Sequence, residues 1–420
     1  MAVTRLTVVG GGLAGLIAAN TALDETERTG ADRLELRLIE RSAGAEGGRA
    51  RTTRHEAYRF NQGPHALYLD GELMAALQRF GIDPTGGAPR SRGFRALRRG
   101  EIERLPAGPV GLATTGLLGL RGRLQIGRLL AGLARRDPAE GRGRTATEWV
   151  EAAATDPDAR ALLHAIVRLA TYANAPHLAC AEATIAQLKR ALDPGVRYVD
   201  GGWGTIVAAL HARLEERGVA VEHRTVTSID DVLADVDRVA VAVGGPEATA
   251  ALTGVAVDRG AVGPPVEAAV YEVGARTEPE CSVLLGIDDP LYGSQHGPPA
   301  DLAPPGHSVM AAARYLAPDE SHDRTSTMHE LQRHVRLMGI TSADVVADRY
   351  LHRMTVANGM PLAHPDGGLR RRPPVEVPGR PEVAIAGDWV GPHGMLADTS
   401  AASATEAARR LLTGGDMRVA

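Results

Sequence analysis

The chain is 420 residues long, which exceeds what one hydrophobic core usually supports and predicts two domains. Its apolar fraction of 44% is ordinary for a globular protein, and its net charge of −4 gives no reason to expect nucleic acid or an anionic membrane as a partner. Two isolated cysteines, Cys180 and Cys281, argue against a disulfide framework and fit a reducing cytoplasm. The sequence shows neither a signal peptide nor an apolar window of 18 residues, so we expect a cytoplasmic protein without a transmembrane helix.

Residues 6–40 carry the most informative pattern. A short apolar run, typical of a buried parallel strand, leads into the G-x-G-x-x-G spacing of Gly10, Gly12 and Gly15. A stretch compatible with a helix and a second apolar run follow, and the second run ends in Glu40. In such a unit the glycines permit a tight turn, a close approach of pyrophosphate and tight helix packing, while the acid accepts ribose hydroxyls. The sequence therefore predicts a dinucleotide site at the N-terminus.

Two further glycine motifs follow. A second glycine pair ends at Gly48 and precedes Arg49, which indicates another close approach of backbone to a ligand beside a positive charge. The simplest interpretation is that this ligand group is a phosphate. Gly63 and Pro64 then mark a turn, and His65 follows it immediately.

Residues 71–194 are predicted to be mostly helical, because apolar residues recur there at helical spacing. Within this region, residues 106–136 place five arginines among leucines. This segment could be a basic amphipathic element resting on a membrane surface, or a helical cap whose apolar side lines a substrate cavity. We favour the cap, because the segment has no Trp or Phe anchor and no Lys on its polar side.

The pattern returns to alternating strands and helices after Val199. We expect a helix over residues 205–217 that ends at Gly218, then strands near 219–223 and 239–245 that extend the first sheet. From Val255 to about Arg372, the alternating runs VEAAVYEVGA and HSVMAAARYL predict antiparallel strands in a second layer, and residues 329–340 predict a helix. The chain ends in a strand, a Gly-Asp pair, a loop and a helix from about position 398.

In chain order, the sequence contains GGGLAGL at 10–16, Glu40, GGR at 47–49, GPH at 63–65, GG-x-G at 201–204 and AGDW at 386–389. This series resembles the flavoproteins with two dinucleotide-binding domains, the superfamily of flavin-containing amine oxidases, phytoene-type desaturases and protoporphyrinogen oxidase. The resemblance covers both ends and the middle of the chain and leaves the substrate region unmatched.

The resemblance implies an α/β fold, in which a Rossmann-type FAD/NAD(P)-binding domain carries an inserted α+β substrate domain. That substrate domain would combine a helical cap with a mostly antiparallel sheet. The FAD domain would be assembled from residues 1–70, 195–255 and 375–420, and the substrate domain from residues 71–194 and 256–374.

The resemblance also implies FAD as the cofactor. The first glycine motif would hold the pyrophosphate, Glu40 the adenosine ribose, and the GGR motif would run beside the pyrophosphate and the flavin. Arg41 and the backbone of Val226 would lie near the adenine, and Asp388 would bind the ribityl chain or the pyrophosphate. The helix that begins near Met395 would point its N–H groups at the flavin O2, where a reduced flavin is negative. The predicted cofactor-binding residues are Gly10, Gly12, Leu13, Ala14, Gly15, Glu40, Arg41, Gly48, Arg49, Gly63, Pro64, His65, Val226, Gly387, Asp388, Met395, Leu396 and Ala397.

Two departures from the family narrow the activity. Amine oxidases of this family usually have a lysine that holds a water against flavin N5, but the sole lysine here, Lys189, lies in the predicted cap. They also usually have an aromatic cage, and residues 354–368 contain no Trp, Tyr or Phe. We therefore predict a dehydrogenase, desaturase or oxidase that transfers a hydride from a largely apolar small metabolite to flavin N5. Oxygen, a quinone or another carrier could reoxidise the flavin.

His65 is the candidate catalytic residue, because it follows the turn that would lie beside the flavin. A neutral imidazole there could take the proton that leaves opposite the hydride, or it could only shape the turn through backbone hydrogen bonds. The sequence contains neither H-E-x-x-H nor paired cysteines, so no metal site is predicted.

Two alternatives share the same motifs. A mutase of the UDP-galactopyranose type uses reduced flavin without net redox and would need arginines for a sugar-nucleotide diphosphate, for which Arg314, Arg349 and Arg353 are candidates. Proteins like the Rab GDP-dissociation inhibitors share the architecture as non-catalytic lipid-binding chaperones and lack tightly bound flavin.

Overall fold

The computed structural model describes residues 3–30, 33–44, 46–106 and 108–413. The strands, in chain order, are β1 Val3–Val9, β2 Arg33–Glu40, β3 Thr53–His55, β4 Tyr58–Phe60, β5 Leu67–Tyr68, β6 Gly86–Gly87, β7 Phe94–Arg98, β8 Glu101–Arg104, β9 Val196–Val199, β10 Val221–His223, β11 Arg238–Val241, β12 Val266–Ala275, β13 Val283–Gly286, β14 Leu291–Gly297, β15 Ser308–Leu316, β16 Val345–Ala357, β17 Glu376–Val377 and β18 Arg380–Ile385. The α-helices are α1 Leu13–Thr29, α2 Glu72–Arg79, α3 Gly108–Thr114, α4 Leu120–Leu133, α5 Ala146–Ala153, α6 Pro157–Thr171, α7 Ala181–Leu192, α8 Gly204–Glu215, α9 Ile229–Leu233, α10 Pro246–Thr253, α11 Arg259–Val262, α12 Arg324–Leu337 and α13 Ala397–Thr413.

A six-stranded sheet in the order β10-β2-β1-β11-β18-β17 forms the first layer. Its strands are parallel except for β17, which pairs antiparallel with β18. Val9 pairs with Ile39 on one side and with Val241 on the other, so the ends of β1, β2 and β11 meet at one edge. The β1–α1–β2 order predicted from residues 6–40 is confirmed.

Close packing of α1 on this sheet explains two of the glycines. A Cβ on Gly15 would lie 1.8 Å from the carbonyl oxygen of Gly10, so no larger residue fits between helix and turn. Gly10 itself has φ +112°, and a Cβ there would lie 2.3 Å from the carbonyl oxygen of Ala242. Leu16 and Ile17 of α1 are fully buried. These contacts fix where the N-terminus of α1 points.

A seven-stranded sheet in the order β16-β12-β15-β14-β13-β7-β8 forms the second layer. Its pairs are antiparallel except for β13 with β7, and β12 pairs with β15 from Glu267–Leu316 to Ala275–Ser308. The antiparallel strands and the helix predicted between residues 255 and 372 are confirmed, the helix as α12. The α/β fold class, with parallel and antiparallel sheets, is confirmed as well.

The prediction that residues 71–194 are mostly helical is wrong for β7 and β8. These strands form a hairpin on the edge of the second sheet, joined by Arg99 and Gly100 at φ 51° and 83°. Two residues with positive φ suit the right-handed twist of a tight hairpin, but arginine gives no sequence signal for that conformation. Residues after β8 return to helices.

The segment 106–136 forms α3 and α4. The buried side of α4, formed by Ile126, Leu129 and Leu133, belongs to one hydrophobic cluster with Trp149 of α5 and Leu162 of α6. The segment therefore covers other helices. In the described part of the chain, no helix is long and apolar enough to cross a membrane.

The first sheet draws its strands from the three stretches assigned to the FAD domain, and the second sheet from the two assigned to the substrate domain. The assigned stretches also include residues outside the described ranges, among them 414–420 at the C-terminus. The domain boundaries themselves stay a prediction.

Candidate functional site

A cavity of about 970 Å³ opens at the carboxyl ends of the first sheet's parallel strands, the usual place for ligands in open α/β sheets. The second sheet and the start of α13 close its other sides. Most of the predicted cofactor-binding residues lie on its wall, namely Gly10, Gly12, Leu13, Ala14, Glu40, Arg41, Gly48, Arg49, Pro64, His65, Val226, Gly387, Asp388, Leu396 and Ala397. The structure brings these residues together, and their binding roles stay predictions.

Three predicted residues lie off this wall. Gly15 packs beneath the turn, as described above, and the N–H of Gly63 donates to Glu272 Oε1 at 2.9 Å. Met395 is buried in a small cluster with Cys180 and Ala183. These three residues position the site without facing the cavity.

Gly12 presents an open cradle at the start of α1. It is the N-cap of that helix, and no other atom lies within 4 Å of the position that its Cβ would take. The first-turn N–H groups of a helix lack partners within it, and glycine offers no side chain to cap them. Gly47 N–H donates to Gly11 O at 2.8 Å, which brings the second glycine pair alongside. This arrangement suits a bound phosphate.

Glu40 accepts hydrogen bonds from the glycine turn that precedes α1 and from the residues after β2. Its Oε2 accepts from Gly11 N–H at 2.7 Å and its Oε1 accepts from Ser42 N–H at 3.1 Å. Each carboxylate oxygen has further lone-pair capacity toward the cavity. The glutamate is therefore placed both to position the glycine turn and to accept a hydroxyl, and the sequence indicated only the second role.

Arg49 and Asp388 form an ion pair on the cavity wall, although they lie 339 positions apart in the sequence. Asp388 is 3% exposed and Arg49 is 40% exposed. Arg49 Nη1 donates to Asp388 Oδ2 at 2.7 Å and to Val356 O at 2.9 Å, and Asn358 donates to both carboxylate oxygens through its backbone N–H and Nδ2. Burial alone would raise the pKa of Asp388. The charge of Arg49 and these hydrogen bonds outweigh burial and hold that pKa below its ordinary value, so the carboxylate stays ionised.

His65 is half-buried beside Trp203, with ring centroids 4.9 Å apart in an edge-on arrangement. Its Nδ1 lies 3.1 Å from Gly63 O, so Nδ1 carries the proton that it donates and Nε2 is left as an acceptor. Burial lowers the pKa of His65, against opposing hydrogen bonds to the backbone of Gly63 and Arg49. The imidazole is therefore neutral at neutral pH, as a base requires, and it also bonds the turn, as the structural role requires.

The sequence and the structure were compared with those of known proteins. Residues 8–80 match the model of an NAD(P)-binding Rossmann-like domain. An oxidoreductase from Methanosarcina mazei has a TM-score of 0.70 at 19% identity, covering 96% of this chain and 99% of that one. The chain shares the overall fold of that structure.

Two further solved structures share this fold. A reduced UDP-galactopyranose mutase has a TM-score of 0.68 at 13% identity, covering 98% of this chain and 94% of that one. A putrescine oxidase variant from a redesign of cofactor binding has a TM-score of 0.65 at 13% identity, covering 98% and 100%. A search of the curated proteins finds no match.

The cavity has an aromatic side that the sequence did not reveal. Tyr68, Tyr172 and Trp203 lie on the wall, while the stretch 354–368 contributes no aromatic residue. Tyr172 is the C-cap of α6 at φ 58°, an uncommon conformation for a bulky residue, and its hydroxyl donates to Pro64 O at 3.4 Å. The only available signal was Trp203 inside the GG-x-G motif, because the tyrosines reach the wall through tertiary packing.

The helical segment 106–136 does not line this cavity. None of its described residues lies on the wall, because its apolar side packs on α5 and α6. The expectation that it caps the cavity with its apolar side is therefore wrong.

The three arginines considered for a sugar-nucleotide diphosphate lie off the wall of this cavity. Arg314 Nη1 lies 3.0 Å from Glu330 Oε2 and Arg349 Nε donates to Glu272 Oε2 at 2.9 Å. Arg353 pairs with Glu267. Each guanidinium is already neutralised, so this set does not form a diphosphate clamp.

Asp398 is an ionisable residue on the wall that the sequence did not single out. It lies in the first turn of α13, where Oδ1 accepts from Leu73 N–H at 3.0 Å, and Oδ2 lies 3.6 Å from Arg190 Nη1 without a hydrogen bond. Burial raises the pKa of Asp398 to about 6; Leu73 and Arg190 oppose the shift, and Glu72 and Asp70 add to it.

We expect Asp398 to make stability depend on pH. Because its folded-state pKa is raised, the folded protein binds this proton more tightly, and the resulting stability is full below pH 4 and lost as pH rises through about 6. Asp398→Asn keeps the neutral form, so urea unfolding should show a gain of about 2–3 kcal/mol at pH 8 and little change at pH 4. Asp231→Asn, at an exposed position, is the control. Parallel curves for Asp398→Asn and the unchanged protein would contradict this assignment.

Proposed function

We propose that this protein is an FAD-dependent oxidoreductase that oxidises or desaturates a small to medium, largely apolar metabolite. The observation that carries the proposal is a single cavity with two unlike parts. One part offers helix N–H groups, an open glycine cradle and an arginine–aspartate pair, and the other is walled by the uncharged side chains of the second sheet.

The polar part fits the cofactor. A diphosphate carries negative charge, which the N-terminus of α1 would attract. Glu40 has acceptor capacity for a ribose, and Gly12 leaves the space that a pyrophosphate needs. The first turn of α13, with Leu396 and Ala397 on the wall, would favour negative charge on a reduced flavin. When bound, the flavin supplies the hydride acceptor at N5.

The uncharged part supports an apolar substrate. The second sheet contributes to the wall only uncharged residues, which are Ala268, Val270, Ala313, Met354, Thr355 and Val356. Tyr68 and Tyr172 face the same space and offer hydroxyls on otherwise apolar rings. A charged substrate would lose its hydration here without an opposite charge from this sheet.

The decisive experiment is anaerobic reduction of the purified protein by candidate apolar donors. The expected result is a protein with an absorption band at about 450 nm, typical of oxidised flavin, that bleaches with at least one such donor. A colourless protein that also fails to take up added FAD would support the non-catalytic lipid-binding alternative. Turnover of UDP-sugars after dithionite, with no bleaching by apolar donors, would support the mutase. Readmission of oxygen or a quinone then identifies the acceptor.

His65 is proposed as the base that takes the proton leaving opposite the hydride. His65→Gln should lower the rate of flavin reduction by about 10²-fold or more while the bound flavin spectrum persists. Stopped-flow reduction measures this rate, and because the pKa of His65 is lowered, this residue should add no pH dependence above pH 7. Loss of flavin or of thermal stability with an unchanged reduction rate would instead assign His65 to shaping the turn.

A further inference from the structure

An exposed apolar surface lies on α3 and α4, whose described residues do not line the cavity. Val110 of α3 and Leu120 and Leu124 of α4 are 73%, 76% and 53% exposed, among the few large apolar side chains in the described residues that face solvent. They lie within 15 residues of each other in the sequence. We call these three residues, with the exposed Arg128, the α3–α4 face.

The geometry of α4 places apolar and basic side chains on one stripe. Leu120, Leu124 and Arg128 follow one another at four-residue spacing and therefore lie on the same side of the helix. The opposite side, which includes Ile126 and Leu129, is buried in the helical cluster. Leu120, Leu124 and Arg128 are therefore exposed because the other side of α4 makes the contacts with the neighbouring helices.

The chain segment that carries this face has basic side chains and no acidic ones. Residues 105–136 contain five arginines and no aspartate or glutamate, although the whole chain carries a net charge of −4. Arg121 and Arg128 are exposed on α4, and Arg135 is exposed just beyond it. Arg123 instead donates to the carbonyl oxygens of Leu118 and other residues near the start of the helix.

We propose that the α3–α4 face docks on an anionic lipid surface. Stable attachment to a bilayer without a spanning helix takes two signals, a buried apolar contact and attraction between basic residues and acidic headgroups. The α3–α4 face supplies the apolar contact through Leu120 and Leu124 and the basic charge through Arg128, on one stripe of α4. The remaining explanation for its apolar residues, that they line the cavity, fails because none of them lies on its wall.

The test is sedimentation of the full-length protein with vesicles of phosphatidylcholine alone or with about a third phosphatidylserine. Binding to the acidic vesicles only, weakened by added salt, is expected. Leu120→Asp combined with Leu124→Asp should lower the partition coefficient at least about tenfold. Leu192→Asp changes an equally apolar residue, 59% exposed at the end of α7, and should leave binding unchanged.

The basic contribution is tested separately. Arg128→Gln with Arg135→Gln should weaken binding by about fivefold per arginine, whereas Arg37→Gln on the exposed side of β2 should not. Circular dichroism and the unchanged flavin spectrum show that each variant is folded. Absence of binding to acidic vesicles, or equal binding of the double aspartate variant, overturns the proposal. Self-association without lipid that this variant abolishes would show that the face binds a second copy instead.

Discussion

Valine at position 12 is expected to abolish FAD binding without unfolding the protein. The backbone of Gly12, at φ −77° and ψ 179°, is extended and open to any residue, and no other atom lies within 4 Å of the Cβ position. A branched side chain there would fill the space in which the pyrophosphate approaches the helix N-terminus. Gly12→Val should therefore raise the Kd for FAD by about 100-fold or more, by analogy with the loss of several charge-assisted hydrogen bonds.

Two measurements separate loss of the site from loss of the fold. Flavin fluorescence titration of the apoprotein gives Kd, and thermal unfolding of the apoprotein should place Gly12→Val within a few degrees of the unchanged chain. Gly15→Ala is the contrasting variant, because its Cβ would lie 1.8 Å from Gly10 O and must disturb the packing of α1. Retention of FAD by Gly12→Val would remove the basis of the proposed function.

The N-terminal unit was predictable because its motif encodes local geometry. Each glycine of the first motif is required by its surroundings, either residues a few positions away or the neighbouring strand. Their spacing alone therefore predicts β1, α1 and β2. The return of the chain to the first sheet was also readable, from the helix ending before Gly218 and the buried run at β11. Local turn chemistry and apolar runs carry this information.

What the sequence did not reveal depends on contacts between distant residues. The pairing of Arg49 with Asp388 joins the first and last parts of the chain, and sequence spacing says nothing about it. Tyr172 reaches the cavity through the packing of α6 against the second sheet, where its ring lies 5.9 Å from that of Tyr315. The apolar residues of α4 likewise fit a cavity lining and an exposed surface equally well until the helix is placed.

Removal of the carboxylate at position 388 is expected to be the most destabilising single change in the site. Asp388 is 3% exposed and neutralises Arg49, which is 40% exposed, so Asp388→Ala would leave a half-buried guanidinium without its partner. Breaking a fully buried pair from one side costs about 3–5 kcal/mol, and because solvent in the cavity screens Arg49, we expect a loss of about 1–3 kcal/mol. Urea denaturation of the apoprotein at pH 7 should show this loss, and FAD should bind more weakly as well.

The same pair predicts a distinct pH response. Because the pKa of Asp388 is lowered in the folded state, its contribution to the free energy of unfolding is present above about pH 4 and is lost as pH falls through the folded-state value. Asp388→Ala should therefore reduce the dependence of stability on pH at acid pH. Combining it with Arg49→Met should recover part of the lost stability, since no unpaired charge then remains.

The control is Asp237→Ala, which breaks the exposed ion pair with Arg5. That pair also joins an arginine and an aspartate, at 3.0 Å, and its loss should leave stability nearly unchanged. Equal effects of the two alanine variants would mean that Asp388 is solvated and that its ion pair does not stabilise the cavity wall.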